Sequence, residues 1–142
     1  MPHLPCVLLV DDDDTTNYLN RLLLDRLGVA DCILVATNGR QALDLLREHC
    51  LGAAVPTCPS LILLDLNMPV MNGFEFLEAY AELFPARPGI SIVLVLSTSL
   101  NPNDTERLRG LPAAAGSIVK PLSRAKVAQL LHEHFGHPLP EA

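Results

Sequence analysis

The sequence has no excess of basic residues. It contains 10 lysine and arginine residues against 16 aspartate and glutamate residues, so its formal net charge at pH 7 is −6. Direct binding to nucleic acid needs a basic face that neutralises phosphate groups. The composition therefore argues against a nucleic-acid partner, although four of the acids form one run, Asp11 to Asp14.

Long hydrophobic runs are missing as well. No segment approaches the ~18 consecutive apolar residues that a membrane helix needs. The first apolar run, Val7 to Val10, is too short for a signal peptide, and aspartates follow it at once. We therefore expect a cytoplasmic protein that makes no use of a membrane.

Paired cysteine motifs are also absent. The four cysteines, Cys6, Cys32, Cys50 and Cys58, form no C-x-x-C pair and are irregularly spaced. Such spacing argues against a zinc site or a disulfide framework. We predict that the cysteines are reduced and mostly buried.

The sequence does contain enough apolar residues for one compact core. The chain has 142 residues, of which 49% are hydrophobic and 18% are charged. The charged residues are spread along the chain, which is not the pattern of a disordered segment. We find no internal repeat and no low-complexity linker, and we predict one domain over residues 1–142.

Short apolar runs alternate with longer amphipathic segments. The runs predict strands over 6–10, 32–36, 61–65, 90–96 and 117–119. Apolar residues at helical spacing predict a helix after each strand, with Asp14, Asn38 and Ser123 as caps of the first, second and last helices. Gly28 should end the first helix. The fourth helix, to about Arg109, is short and poor in apolar residues, so we expect it to be the least firmly packed element. Five strand–helix units imply a parallel sheet with helices on both faces.

Polar residues follow four of the predicted strands at the point where each strand ends. They are the run Asp11 to Asp14, then Asp65, then Ser97 to Ser99, and then Lys120. In an open parallel sheet, function collects at the carboxyl ends of the strands. Carboxylates that converge there repel one another unless a cation is present, and Mg²⁺ prefers such oxygen ligands.

Each of these residues has an ordinary explanation when it is taken alone. An acid run is often a solvated turn or a helix cap, a serine is often a polar strand end, and a lysine is often a surface charge. Together they make one phosphoryl-transfer site. A carboxylate beside Mg²⁺ attacks phosphorus, while a lysine and a hydroxyl bind the phosphoryl oxygens.

Four segments resemble the response-regulator receiver domains of two-component signalling, including the chemotaxis regulators. VLLVDDDDTTNYLNRLLLDRLG resembles the first strand, acid pocket and first helix of that family, and LILLDLNMPVMNGFEFLE resembles its phosphoacceptor segment. LVLSTS and GSIVKPL resemble its hydroxyl and lysine–proline segments. The resemblance covers residues 6–135 and implies a flavodoxin-like, doubly wound sheet of five parallel strands in the order 2-1-3-4-5, with five helices.

The resemblance also implies a role for each matching residue. Asp65 is the phosphorylated aspartate, and Lys120, followed by a cis Pro121, pairs with the phosphoryl oxygens. Asp12 is the main metal ligand, Asp65 is a further ligand, and Asp11 either binds the metal through water or shapes the pocket. Asn67 gives a backbone carbonyl to the metal, Ser97 is the switch hydroxyl, and Asn67 and Ser99 tune dephosphorylation.

The chain departs from the family pattern at Ser117. The family has a switch aromatic residue three positions before the lysine, and inward rotation of that ring is coupled to movement of the hydroxyl. A serine cannot fill the volume of that ring. The phosphorylation chemistry should be unaffected, but the route by which the signal leaves the domain should differ.

The resemblance implies a single-domain response regulator without an output domain, whose only catalysis is its own phosphorylation and dephosphorylation. Its phosphodonor would be a sensor histidine kinase or a histidine phosphotransfer protein. Phosphorylation would change its binding to a downstream protein target, through a surface formed by the fourth helix, the fifth strand and the last helix. It would act as a monomer or as a phosphorylation-dependent dimer.

Two other functions are compatible with parts of the pattern. One is a Mg²⁺-dependent phosphohydrolase with an aspartyl-phosphate intermediate, but such enzymes generally have an acid two residues after the nucleophile, where this chain has Asn67. The other is a degenerate receiver that serves only as a binding module. The complete acid, hydroxyl and lysine set argues against that function, whereas Ser117 argues weakly for it.

Overall fold

The computed structural model describes residues 4–51, 59–66, 71–83, 92–97, 102–111 and 114–136. Within these residues, five strands alternate with five α-helices. The strands are β1 (Val7–Val10), β2 (Ile33–Ala36), β3 (Leu61–Asp65), β4 (Ile92–Ser97) and β5 (Ala114–Val119). The helices are α1 (Asp14–Leu27), α2 (Gly39–Leu46), α3 (Gly73–Leu83), α4 (Pro102–Arg109) and α5 (Arg124–Phe135). A π-helical turn, Arg47–Leu51, continues α2.

All five strands are parallel, and their order in the sheet is β2-β1-β3-β4-β5. This confirms both the predicted fold class and the strand order. The order reverses at β1, which lies between β2 and β3. At such a reversal the connections leave toward opposite faces of the sheet, and a crevice opens at the carboxyl ends of the strands.

Two hydrophobic clusters fill the two faces of the sheet. Leu8, Val10, Ile62 and Leu64 point to the face that α2 and α3 cover. The alternate strand residues point to the other face, where Leu24 of α1 and residues of α5 pack against them. Because both faces are covered, β1 is apolar at every position, and β3 and β4 are apolar up to their last residues, Asp65 and Ser97.

The caps agree with the prediction at three of four positions. Asn38 accepts a hydrogen bond from the Gln41 N–H at 2.8 Å, and Ser123 also caps its helix. Gly28 ends α1 with a left-handed φ of 65°. The prediction of Asp14 as the first cap is wrong. Asp13 has the extended backbone of a cap residue and accepts from the Thr15 N–H, so Asp14 is already helical.

The fourth helix is the most weakly packed of the five described helices. None of its residues is buried, as the poverty of apolar residues predicted. Arg107 holds it to α3, because the guanidinium lies 4.1 Å from the centre of the Phe74 ring. A cation over an aromatic face is attracted by the ring quadrupole.

The prediction for the cysteines is right for two of them and wrong for a third. Cys6 is free and buried, and Cys32 is free and half-buried. Cys50 is disulfide-bonded, and Cys58 lies outside the described residues. Spacing along the chain does not fix distance in space, which decides whether two thiols can join.

No helix in the described ranges combines the length and the apolar character that crossing a membrane requires.

Candidate functional site

The register of the sheet brings Asp11 and Asp65 to one edge. Val10, the last residue of β1, pairs with Leu64 of β3. Asp65 ends β3, and Asp11 follows β1 directly, so their side chains leave neighbouring strands at the same level. Both residues are buried, with 4% and 6% of their surface exposed.

Asp12 completes a group of three acids at this edge. One carboxylate oxygen from each of Asp11, Asp12 and Asp65 lies within 4.8 Å of the others. Asp12 is exposed, which leaves the group open to solvent on one side. The carboxylate oxygens match the hard ligands that Mg²⁺ prefers, and an open side suits an ion that keeps several of its waters. These residues therefore fit a magnesium ion.

Lys120 supplies a positive charge to the same group. Its Nζ lies 2.7 Å from Asp11 Oδ2 and 3.7 Å from Asp65 Oδ1. Burial alone would lower the pKa of Lys120, but the hydrogen bond and charge of Asp11, followed by those of Asp65, outweigh it and raise the pKa above its ordinary value. One ammonium group faces three carboxylates, so an excess of negative charge remains at the site.

Main-chain hydrogen bonds to β4 fix the backbone position of Lys120. Ser97, the last residue of β4, pairs with Val119, the last residue of β5. The Lys120 N–H donates to the Ser97 carbonyl at 2.7 Å, which continues the ladder by one residue. Ser97 itself is 3% exposed. The structure thus brings Asp11, Asp65, Ser97 and Lys120 to one edge of the sheet.

Asn17 is a component of the site that the sequence analysis missed. Its Nδ2 donates to the Asp11 carbonyl at 2.8 Å, and the residue is 3% exposed. A second bond to Asp11 comes from the Asp13 N–H, which donates to Oδ1 at 2.9 Å. The signal in the sequence was an asparagine on the buried face of α1, where its low helix propensity calls for a specific partner.

Asp13 serves the helix instead of the acid group. It is exposed, and its side chain accepts from the Thr16 hydroxyl at 2.6 Å and from the Thr15 N–H at 3.2 Å. The Thr16 hydrogen bond is the main cause that lowers the pKa of Asp13, and it outweighs a smaller effect of burial that would raise it. The run of four aspartates therefore divides between metal-ligand candidates and a helix start.

Gly73 allows the chain after Asp65 to return close to the strand end. Its N–H donates to the Leu66 carbonyl at 3.0 Å. A Cβ atom at this position would lie 2.8 Å from Leu66 Cα and 2.9 Å from the Asp65 carbonyl oxygen, which is closer than real Cβ contacts. The start of α3 can therefore approach the phosphoacceptor candidate only with glycine at position 73.

Ser117 leaves an open surface beside α4. It is exposed on β5, and a groove of about 210 Å³ is lined by Ser117, Gly116, Thr105 and Leu108 among others. This groove adjoins the position that an aromatic ring has in the family pattern.

The Lys120–Pro121 peptide bond is cis, as predicted. Asn67 and Ser99 lie outside the described residues.

Comparison with known proteins gives one consistent result. The family model "Response regulator receiver domain" matches residues 7–132. The chain is 35% identical over 116 residues to a protein-glutamate methylesterase/protein-glutamine glutaminase of Burkholderia thailandensis. That alignment covers 81% of this chain but only 29% of the relative's length.

Solved structures agree with the family match. A two-component response regulator from Cytophaga hutchinsonii superposes with a TM-score of 0.83 at 30% identity, covering 95% of this chain and 99% of that one. A CheX–CheY–BeF3–Mg²⁺ complex from Borrelia burgdorferi contains a chain that superposes with a TM-score of 0.75 at 25% identity, covering 92% and 89%. The chain belongs to the response regulator receiver domain family.

Proposed function

We propose that this receiver accepts a phosphoryl group on Asp65 in a Mg²⁺-dependent reaction. The observation that carries the proposal is the convergence of three carboxylates with the Lys120 ammonium group at the carboxyl ends of the strands. The proposed donor is the phosphohistidine of a sensor histidine kinase or of a histidine phosphotransfer protein.

Asp11, Asp12 and Asp65 would hold the metal, together with the backbone carbonyl of Asn67 that the family resemblance implies. When bound, Mg²⁺ would supply the positive charge that lets an anionic phosphoryl group approach this acidic site. The Borrelia neighbour is described as a complex with Mg²⁺ and BeF3, which supports the same choice of ion for this chain.

The chain's own residues would perform the transfer. A carboxylate oxygen of Asp65 attacks phosphorus, an O–P bond forms, and the P–N bond to the donor histidine breaks with its electron pair leaving on nitrogen. Lys120 lies close enough to Asp65 to bind a phosphoryl oxygen after transfer. The Ser97 hydroxyl would bind a second oxygen, and Asn67 and Ser99 would tune the rate of dephosphorylation.

The output would be a change in binding to a downstream protein. The acyl phosphate would carry roughly −1.5 to −2 charges where the Asp65 carboxylate carried one, and it would bring new acceptor oxygens, which together are enough to move a weakly held element. The fourth helix fits that description because none of its residues is buried. Catalysis of its own phosphorylation and dephosphorylation would be the only enzymatic activity. Action as a single domain, as a monomer or as a phosphorylation-dependent dimer, stays a prediction.

The test is phosphorylation by acetyl phosphate, followed by mass spectrometry of the intact protein. We expect the mass of one phosphoryl group to be added with Mg²⁺, to be absent with EDTA, and to be absent in Asp65→Asn. Asp14→Asn is the matched control, since it removes the same charge from the exposed first turn of α1. If the protein stays unmodified under all conditions, the phosphoacceptor proposal fails, and the chain is a binding module with the receiver fold. Release of phosphate from many phosphomonoester molecules per protein would instead indicate a phosphohydrolase.

A further inference from the structure

The side chain of Lys126 is bonded to the main chain on both sides of Lys120. Its Nζ donates to the Val119 carbonyl at 2.6 Å and to the Pro121 carbonyl at 2.9 Å. Lys126 lies in the first turn of α5, and its own N–H donates to the Ser123 cap at 3.3 Å. One residue therefore ties the end of β5, the segment after it and the start of α5 together.

This arrangement matters because only four residues, 120–123, join β5 to α5. Within them Lys120 must carry its ammonium group to two carboxylates from other parts of the sheet, Asp11 directly after β1 and Asp65 at the end of β3. Its N–H is fixed by the Ser97 carbonyl, but that bond fixes only one end of the residue's backbone. The two bonds from Lys126 fix the carbonyls of the residues before and after it.

A lysine side chain does not hold its own ammonium group in place. It has a flexible four-carbon stem, and its position depends on the backbone from which it starts and on its partners. Moving that backbone would shift Nζ relative to Asp11 and Asp65 together. Misplacing a reacting group by about 1 Å can cost a factor of up to ~10² in rate.

We propose that Lys126 is a positioning residue for phosphoryl transfer, which acts by fixing the 119–121 segment so that Lys120 stays aligned with Asp65. The inference rests on the proposed function of that site. In the described hydrogen bonds Lys126 does not touch the acid group itself, since its Nζ donates to the two carbonyls. Its effect is therefore separate from the charge that Lys120 contributes.

The first test compares three variants in phosphorylation by acetyl phosphate at saturating donor and Mg²⁺. Lys126→Met keeps most of the aliphatic stem but removes the donors, and we expect its rate constant to fall about tenfold. Lys126→Arg restores N–H donors, and we expect it to recover most of that loss. Arg124→Met is the matched control, since it removes a positive charge from an exposed position of the same helix and should leave the rate unchanged.

Two further readouts separate positioning from general damage to the fold. The Mg²⁺ concentration for half-maximal rate should stay the same in Lys126→Met, because Asp65 ends β3 and the other two acids lie directly after β1, away from the 119–121 segment. Amide hydrogen exchange at Lys120, whose N–H bonds to Ser97, should become faster in Lys126→Met and not in Arg124→Met. Circular dichroism checks that each variant is folded.

The outcomes distinguish this inference from the proposed function. If the unchanged protein takes up no phosphoryl group, the proposed function fails and the positioning role falls with it. If the unchanged protein is phosphorylated and Lys126→Met reacts at the same rate, only the inference is overturned, whatever the exchange shows. A slower Lys126→Met that Lys126→Arg rescues, with faster exchange at Lys120, supports it.

Discussion

At the residue scale, the side chains of the site divide into those that meet the acids and those that hold the main chain. Lys120 contacts Asp11 and Asp65 directly. Asn17 holds the carbonyl of Asp11, and Lys126 holds the carbonyls around Lys120. The chemistry proposed for the first group therefore depends on hydrogen bonds made by the second.

Replacing Lys120 tests separately how its charge affects the phosphorylation rate and the Mg²⁺ affinity. We expect Lys120→Met to slow phosphorylation by about 10²-fold, since a donor that stabilises developing charge is typically worth that much. Mg²⁺ affinity should not weaken, because the variant keeps every carboxylate and removes a competing cation. Quenched acetyl phosphate reactions measure the phosphorylation rate, and isothermal titration calorimetry measures the Mg²⁺ affinity. A loss of Mg²⁺ affinity that matches the loss of rate would contradict the role given to Lys120.

The sequence predicted the residues at strand ends because strand pairing alone brings them together. Asp11, Asp65, Ser97 and Lys120 follow from that rule. Asn17 and Lys126 could not be found in this way, since each bonds to a backbone carbonyl, and carbonyls carry no side-chain signal. The first cap was misassigned because Asp13 and Asp14 are chemically identical, and only the backbone angles of Asp13 distinguish them.

At the element scale, strands that are buried on both faces contrast with one helix, α4, that has no buried residue. Strands buried on both faces were predicted well by their apolar runs. The fifth strand begins at Ala114, three residues before its predicted start, because Ala-Ala-Gly carries little strand propensity and pairing with β4 decides the matter. The π-helical turn after α2 has no recognised sequence signal. The fourth helix was predicted to be weakly packed, and it has no buried residue.

The contact between Arg107 and Phe74 should control the local stability of α4. Removing it in Arg107→Ala should cost about 0.5–1 kcal/mol locally, which makes α4 amides exchange roughly two- to fivefold faster. Global stability should change little. Arg109→Ala is the control, because the Arg109–Glu106 ion pair is 75% and 80% exposed and contributes little. Equal exchange in the two variants would show that the ring contact does not hold the helix.

At the scale of the whole molecule, the strand order was the feature that periodicity did not determine. Alternating strands and helices gave a parallel sheet covered on both faces, whereas the order 2-1-3-4-5 came from resemblance and was then confirmed. Many strand orders satisfy the same hydrophobic pattern. This particular order places the connections after β1 and β3 at one crevice, and the site follows from it.

The free energy of unfolding should fall in alkaline solution partly because of Cys6, which directly precedes β1. Burial, and then the hydrogen bond and charge of Cys32, raise the pKa of Cys6 from 9.0 to about 12. Above pH 9.0 the unfolded chain loses this proton while the folded chain keeps it. The unfolded state then binds fewer protons, so the free energy of unfolding falls as pH rises.

Cys6→Ala tests this dependence. The variant should be less stable at neutral pH by about 1–2 kcal/mol, because a small cavity replaces the sulfur. Its deficit should shrink between pH 9.0 and 10.5, below the range in which Lys120 loses its proton. Urea unfolding at a series of pH values measures the difference. A deficit that stays constant over this range would contradict the raised pKa.

The most direct test of the central claim is to locate the phosphoryl group on the chain. The protein is phosphorylated with acetyl phosphate and Mg²⁺, digested at acidic pH, and sequenced by tandem mass spectrometry. The geometry predicts that the group is on Asp65, within the peptide that contains LILLDLNMP. A group found on Asp11, on Asp12 or on a histidine would contradict the assignment of Asp65 as the phosphoacceptor.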